Sequence, residues 1–280
     1  MLKALRKIAK LPLTLALRIP FIRKRAAWHI LTDYFPDLEV NIPLGDGFWC
    51  PLLAPDSVHS FGEIFVAREY GGFLDEIGLP RRWIDLGCHA GYFSLYIAWR
   101  HAAAADGQDW RALLIDADPR MEPLARRALD QNGLSQKYTF LHGLISKGGE
   151  SRDFALRDGM GSSMDTDARG VESVQKIGII RPADILEALP PPYDLIKVDI
   201  EGAEAEFFEC YKDIYTHASA LVMEWHSPDS EGTAASSLRA TLEAEGFVFV
   251  NDLRPVRVHR RGPGAVSSGV QLYRRVSHGG

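Results

Sequence analysis

Residues 81–99, RRWIDLGCHAGYFSLYIAW, constrain the fold of this chain more than any other stretch. Trp83 and Ile84 read as a short buried strand, Asp85 to Gly91 as a glycine turn of D-x-G-x-x-x-G form, and the apolar run after Tyr92 as a helix. A strand that runs straight through a glycine turn into a helix opens a nucleotide-binding α/β sheet. Gly87 supplies backbone freedom that a side chain would deny, and Gly91 allows close approach at the helix start. The spacing also selects the ligand. A dinucleotide site uses three glycines to seat a diphosphate on the helix N-terminus. Here there are two, and an acid closes the strand before the first. A carboxylate suits a ligand with an ammonium group and repels a diphosphate. S-adenosylmethionine (SAM) carries an ammonium and no phosphate.

Two further acids fall where such a ligand needs them. The run Ala112–Ile115 reads as the second strand and ends in Asp116-Ala117-Asp118-Pro119. A carboxylate there accepts two ribose hydroxyls at once, and Asp116 follows the apolar run directly. Asp118 is expected to cap the helix that starts near Pro119. Tyr138–His142 reads as the third strand. Leu144 and Ile145, in the loop behind it, are the expected adenine contacts. The second informative stretch is Asp194–Glu204, DLIKVDIEGAE. If the strand continues to its end, Lys197, Asp199 and Glu201 alternate onto one side. Ala220–Met223 reads as the next strand, ending in Glu224-Trp225-His226. His226 is a candidate proton acceptor because its reference pKa lies near neutrality.

Around this core, Asp37–Leu53 reads as a hairpin turning at Gly45-Asp46-Gly47, and Phe61–Leu74 as one helix loosened by Gly71-Gly72. Ser151–Leu156 reads as a short strand, Asp158–Gly170 as a glycine-rich flap, and Pro182–Leu189 as a helix. Leu238–Glu245 reads as a helix and Phe247–Val250 and Val270–Tyr273 as the last strands. Arg254–Arg261, with Arg257, His259 and Arg260, reads as a basic loop, either a contact for an anionic substrate or a solvated turn. The expected division is an N-terminal cap over residues 1–76 and a ligand-binding domain over 77–280.

The 280 residues carry a net charge of −5, which argues against a nucleic-acid partner. Three scattered cysteines, Cys50, Cys88 and Cys210, form neither a disulfide framework nor a zinc pattern, so a reducing cytoplasmic setting is expected. Residues 1–25 hold eight lysines and arginines and no acid. Arg18 interrupts the apolar run, so the segment fits neither a signal peptide nor a membrane span. It suits either peripheral contact with an anionic membrane or packing on the body of the protein.

Taken together, WIDLGCHAGYFSL, LLIDADP, the HGLIS loop and above all DLIKVDIEGAE resemble the FkbM family of SAM-dependent methyltransferases. The resemblance runs from about Phe61 to Met223. It implies a Rossmann-like class I methyltransferase fold, with a seven-stranded mostly parallel sheet flanked by helices and one antiparallel strand. It also implies O-methylation of a glycan or natural-product hydroxyl. Two positions depart from the family's usual pattern: Cys88-His89 in the glycine turn, and Asp116 where a glutamate is usual. On this reading the cofactor lies against Asp85, Gly87, Cys88, His89, Gly91, Tyr92, Asp116, Ala117, Leu144 and Ile145. Asp199 stands beside the methyl group, His226 or Glu201 takes the proton, and Lys197 orients the acids. The spacing assigns no metal ligands, although an ion on Asp199, Glu224 and His226 would meet the same chemical need. The competing expectations are a nicotinamide oxidoreductase and a non-catalytic scaffold of the same fold at a membrane surface.

Overall fold

A computed structural model describes residues 39–52, 57–105, 107, 109–157, 162, 171–261 and 264–276, without the side chains of 259–261, 264 and 265. The basic segment 1–25 and all of the expected flap except Ser162 lie outside the described residues. Among the described residues, no helix is long and apolar enough to cross a membrane.

The described chain opens with the hairpin β1 (Val40–Gly45) and β2 (Phe48–Leu52), followed by α1 (Ser57–Phe61). A π-helical turn over Gly62–Ala67 and the helix α2 (Phe73–Ile77) come next. The core then alternates strand and helix: β3 (Arg82–Leu86), α3 (Tyr92–Ala104), β4 (Arg111–Asp116), α4 (Met121–Asp130) and β5 (Tyr138–His142). A separate ribbon follows, β6 (Ser151–Arg157) with β7 (Val171–Gly178), then α5 (Pro182–Ala188) and β8 (Leu195–Val198). The chain continues through α6 (Glu204–Cys210), α7 (Lys212–Tyr215), β9 (Ala220–Ser227), α8 (Thr233–Ala244), β10 (Phe247–Arg261) and β11 (Gly264–Arg275).

The seven-stranded sheet has the order β10-β11-β9-β8-β3-β4-β5. Parallel pairs join β9, β8, β3, β4 and β5, and β11 alone runs against both neighbours. The expected class I methyltransferase sheet is therefore present. Its strands alternate between two cores, as a parallel sheet covered on both faces requires. Trp83, Ala112, Leu114, Leu195 and Val222 pack with α3 and the hairpin, whereas Ile84, Leu113, Ile196 and Leu221 pack with α5–α8. Cap residues such as Ile42, Phe61 and Phe65 share the first core with Phe93 and Leu95. The same alternation puts Asp85 and Lys197 on the cap face of the sheet.

Three local expectations fail. The helix expected over Phe61–Leu74 is broken, because Arg68 turns left-handed at φ 56° and ends the π-helical turn before Gly71-Gly72. The basic loop expected over Arg254–Arg261 is strand, paired with β11 as far as Arg261↔Gly264. The strand expected to carry Lys197, Asp199 and Glu201 stops at Val198, and Glu201 is left-handed at φ 52°. Its side chain therefore reaches the site from a turn, not by strand alternation.

Candidate active site

The glycine turn crosses the carboxyl ends of β3, β4 and β8. Gly87 has φ +67°, and a Cβ there would lie 1.7 Å from the Asp199 carbonyl oxygen, so only glycine lets the two strand ends meet. The N–H groups of Gly87 and Cys88 donate to the Ile115 carbonyl at 2.9 and 3.1 Å. His89, left-handed at φ 49°, donates its N–H to Asp116 Oδ2 at 2.7 Å, and Asp118 N–H donates to Asp116 Oδ1 at 2.9 Å. Two backbone donors thus fix the carboxylate plane and leave each oxygen a further lone pair. Burial nevertheless pushes the Asp116 carboxyl up to about 7, against those two bonds.

A cavity opens over this turn. It is lined by the backbone of Gly87 and by His89, Asp116, Ala117, Leu144 and Ile145 of the expected cofactor set. Asp199 and Glu201 line it too, as do Met121, Phe154 and Ser162, which the sequence did not single out. Among the described residues, four carboxylates border this cavity, those of Asp116, Asp118, Asp199 and Glu201, and no lysine or arginine does. Asp118 caps the turn that leads into α4: its Oδ1 accepts the Arg120 N–H at 2.9 Å and its carbonyl the Met121 N–H at 3.0 Å. Its carboxylate is also clamped by the Arg120 guanidinium at 2.7 Å. Burial opposes ionisation of Asp118, and the Arg120 bonds win, holding the group below its usual value.

Asp85, Cys88, Gly91, Tyr92, Lys197 and His226 do not line the cavity. Asp85 is wholly buried beneath the turn, where Ser94 Oγ donates to its Oδ2 at 2.8 Å and Trp83 Nε1 donates to Ser94 at 3.0 Å. Lys197, 4% exposed, bridges upward from it. Its Nζ lies 3.5 Å from Asp85 Oδ1, 3.1 Å from Asp199 Oδ2 and 3.1 Å from the Gly87 carbonyl. Burial pulls the ammonium down, and Asp199 and Asp85 more than offset this and hold it above its ordinary value. A single buried cation therefore fixes the turn, the floor acid and Asp199 relative to one another.

The strand β9 brings Glu224 and His226 close to Glu201, outside the cavity lining. Glu224 and His226 fall within the strand, which runs past the Met223 end expected from sequence. His226 Nδ1 lies 3.1 Å from Glu204 Oε1, and its Nε2 lies 3.7 Å from Glu201 Oε2 and 3.8 Å from Glu224 Oε1. Burial lowers the basicity of the ring, but Glu204, Glu201 and Glu224 lift His226 to about 10. Burial and the charge of Asp199 likewise push Glu224 up to about 7, against Arg254.

Residues 85–249 match the Methyltransferase FkbM domain. The chain belongs to the FkbM methyltransferase family. No curated protein matches it. Similar solved structures include a putative O-methyltransferase from Klebsiella pneumoniae, at 14% identity, 77% of this chain, 82% of that one and TM-score 0.43. A putative RNA methyltransferase from Pyrococcus horikoshii gives 11%, 76%, 81% and 0.44. TYW2 from M. jannaschii, in complex with AdoMet, gives 10%, 85%, 87% and 0.40.

In this FkbM chain the cap and the end of the sheet are tied by an ion network that the sequence did not reveal. Arg254, 5% exposed, bonds Glu224 Oε1 at 2.5 Å and Glu69 Oε2 at 3.1 Å, and Arg257 bonds Glu69 and, at 3.3 Å, Glu63. Arg254 is thus neutralised inside the protein and is not the exposed anion contact expected of a basic loop. Its partners lie far off in sequence, Glu69 being 185 residues away. The available signal was local: two acids, Glu63 within the π-helical turn and Glu69 just past its end.

Proposed function

We propose that this methyltransferase transfers the methyl group of SAM to a hydroxyl of a glycan or other polyhydroxylated small molecule. The observation that carries the cofactor is the charge of the cavity lining, to which the described residues contribute four carboxylates and no lysine or arginine. Arg120 and Lys197 offset part of this charge from behind Asp118 and Asp199, but the charged groups that face the cavity are acids, which repel a diphosphate and attract the sulfonium and ammonium of SAM. Asp116, held by the His89 and Asp118 N–H groups, takes the ribose hydroxyls, and the apolar Leu144 and Ile145 flank the adenine. The backbone of the glycine turn faces the methionine end, with Asp85 and Lys197 positioning it from below.

The reaction is an in-line displacement at the methyl carbon, so alignment of the acceptor oxygen supplies much of the rate enhancement. The acceptor oxygen forms the new bond to carbon while the carbon–sulfur electrons return to sulfur, leaving a neutral thioether. The hydroxyl proton passes to the Asp199 and Glu201 carboxylates in the cavity lining, while His226, lifted to about 10, already carries its own proton. A hydroxyl acceptor is favoured because these groups can take up its proton.

The test is incubation with methyl-13C SAM and a panel of free sugars and polyols, read by NMR for a labelled O–CH3 signal. A labelled methyl ether, lost in Asp199→Asn, is the expected result. Label found only on nitrogen or carbon of acceptors offered alongside would overturn the hydroxyl assignment.

A further inference from the structure

We propose that Asp199, Glu201 and His226 form a divalent-metal site beside the cavity, at the edge formed by Asp199 and Glu201, where the ion binds two adjacent hydroxyl oxygens of the acceptor. The site itself stands on geometry, while the role of the ion rests on the methyl-transfer reading above.

One donor atom from each of the three residues lies within 4.8 Å of the other two. In an octahedral shell with bonds of about 2.1 Å, opposite corners are about 4.2 Å apart, so small side-chain rotations bring all three onto one ion. The donors come from the ends of the adjacent parallel strands β8 and β9, which gives them a rigid base. All three are partly exposed, with side-chain exposures of 20%, 35% and 25% for Asp199, Glu201 and His226, and the first two line the cavity.

The orientation of His226 is an independent observation. Glu204, 2% exposed, faces His226 Nδ1 at 3.1 Å and receives the Gly202 N–H on the same oxygen at 3.0 Å. A carboxylate can only accept, so Nδ1 is the protonated nitrogen and Nε2 is turned toward Glu201 and Glu224 at 3.7 and 3.8 Å. A buried carboxylate behind the distal nitrogen is how metal-binding histidines are commonly held. The mixed carboxylate and imidazole set suits Mg²⁺ or Mn²⁺ better than a soft ion.

Three protein atoms leave three positions of an octahedral ion open. A vicinal diol fills two and water the third, which makes a sugar with adjacent hydroxyls the acceptor class. The ion acidifies the bound hydroxyl and, with Asp199 and Glu201 engaged as its ligands, the proton leaves to solvent water in place of direct transfer to those carboxylates. The oxygen lone pair then forms the bond to the methyl carbon of SAM as the carbon–sulfur pair returns to sulfur.

The test uses full-length protein treated with EDTA, dialysed and titrated with Mn²⁺ alone, with the free ion read by its six-line EPR signal. One saturable site that Mg²⁺ displaces is expected, weakened at least tenfold in Asp199→Asn and in His226→Gln and unchanged in the surface control Glu243→Gln. Circular dichroism melts confirm that the variants are folded. In the wild type, sub-stoichiometric Mn²⁺ should broaden the His226 ring resonances before those of buried His101, a readout that needs no variant. Absence of saturable binding, or binding unaltered in both site variants, overturns the proposal. A parallel SAM titration in EDTA separates the two readings. SAM binding without Mn²⁺ binding sinks only the metal, whereas Mn²⁺ binding without SAM binding leaves the site and sinks its role in methyl transfer.

Discussion

Replacing Lys197 by methionine should be among the most damaging single changes outside the cavity lining. The ammonium sits 3.5 Å from Asp85 and 3.1 Å from Asp199. At an effective dielectric near 20, each attraction is about 5 kcal/mol before desolvation is subtracted. Methionine fills most of the same volume, so little of the cost comes from a cavity. What remains is Asp85, wholly buried and stripped of its cation. Breaking a buried pair from one side costs about 3–5 kcal/mol. At about 2–4 °C per kcal/mol for a domain of this size, the melting temperature should fall by about 6–20 °C. The loss should also depend on pH. Without Lys197, the burial that already raises the Asp85 carboxyl acts with less opposition. An acid raised above its unfolded value binds its proton more tightly in the native state. That contribution is fully present below about pH 4 and is lost as pH rises through the folded value. Lys197→Met should therefore differ least from wild type in acid and most near pH 8. The assay is calorimetric melting from pH 5 to 8, with Asp85→Asn/Lys197→Met as the decisive variant because it removes the orphaned charge. A double variant no more stable than the single, or a single variant within 2 °C of wild type, would refute the ion-pair reasoning.

Three further outcomes are expected. Gly87→Ala forces a Cβ to 1.7 Å from the Asp199 carbonyl in a left-handed backbone. It should cost about 2–4 kcal/mol in urea unfolding and remove the cofactor site with it; a variant of wild-type stability would show that the two strand ends do not meet as described. Asp116, pushed up to about 7 by burial, binds ribose hydroxyls best when ionised. SAM affinity should rise from pH 6 to 8, and Asp116→Asn should be weaker and flat over that range in isothermal titration. Gly269→Ala places a Cβ 2.8–2.9 Å from the buried Trp225 ring. It should cost about 1–3 kcal/mol by overpacking and shift the tryptophan emission; unchanged emission and melting would contradict that packing.

The sheet was legible where apolar runs end in turn signals. Trp83–Leu86, Ala112–Ile115 and Leu195–Val198 are buried on both faces and leave no alternative to strand. The acids behind those runs were legible for the same reason, since Asp116 and Asp199 follow directly on buried strands. The strand β7 was invisible because it pairs only with β6 and buries little besides Ile177, so it shows no apolar periodicity. The reach of β10 was hidden by Arg254 and Arg257, which read as solvated charges because their carboxylate partners, Glu63 and Glu69 on the cap and Glu224 on β9, are distant in sequence. That Asp85 lies beneath the cavity and not in it was also beyond the sequence. The same acid closes the strand either way, and only the register of Lys197 against it, Asp85↔Lys197, decides the matter. Likewise, His226 and Glu201 are 25 residues apart, and their approach depends on the left-handed turn at Glu201, a conformation that a glutamate seldom announces.

The most direct test of the central claim is calorimetric titration of the purified protein with SAM and, separately, with NADH, each repeated on Asp116→Ala. The charge of the cavity predicts one SAM site, loss of at least tenfold in affinity in the variant, and no heat from NADH. Binding of NADH without SAM, or SAM binding indifferent to Asp116, would contradict it.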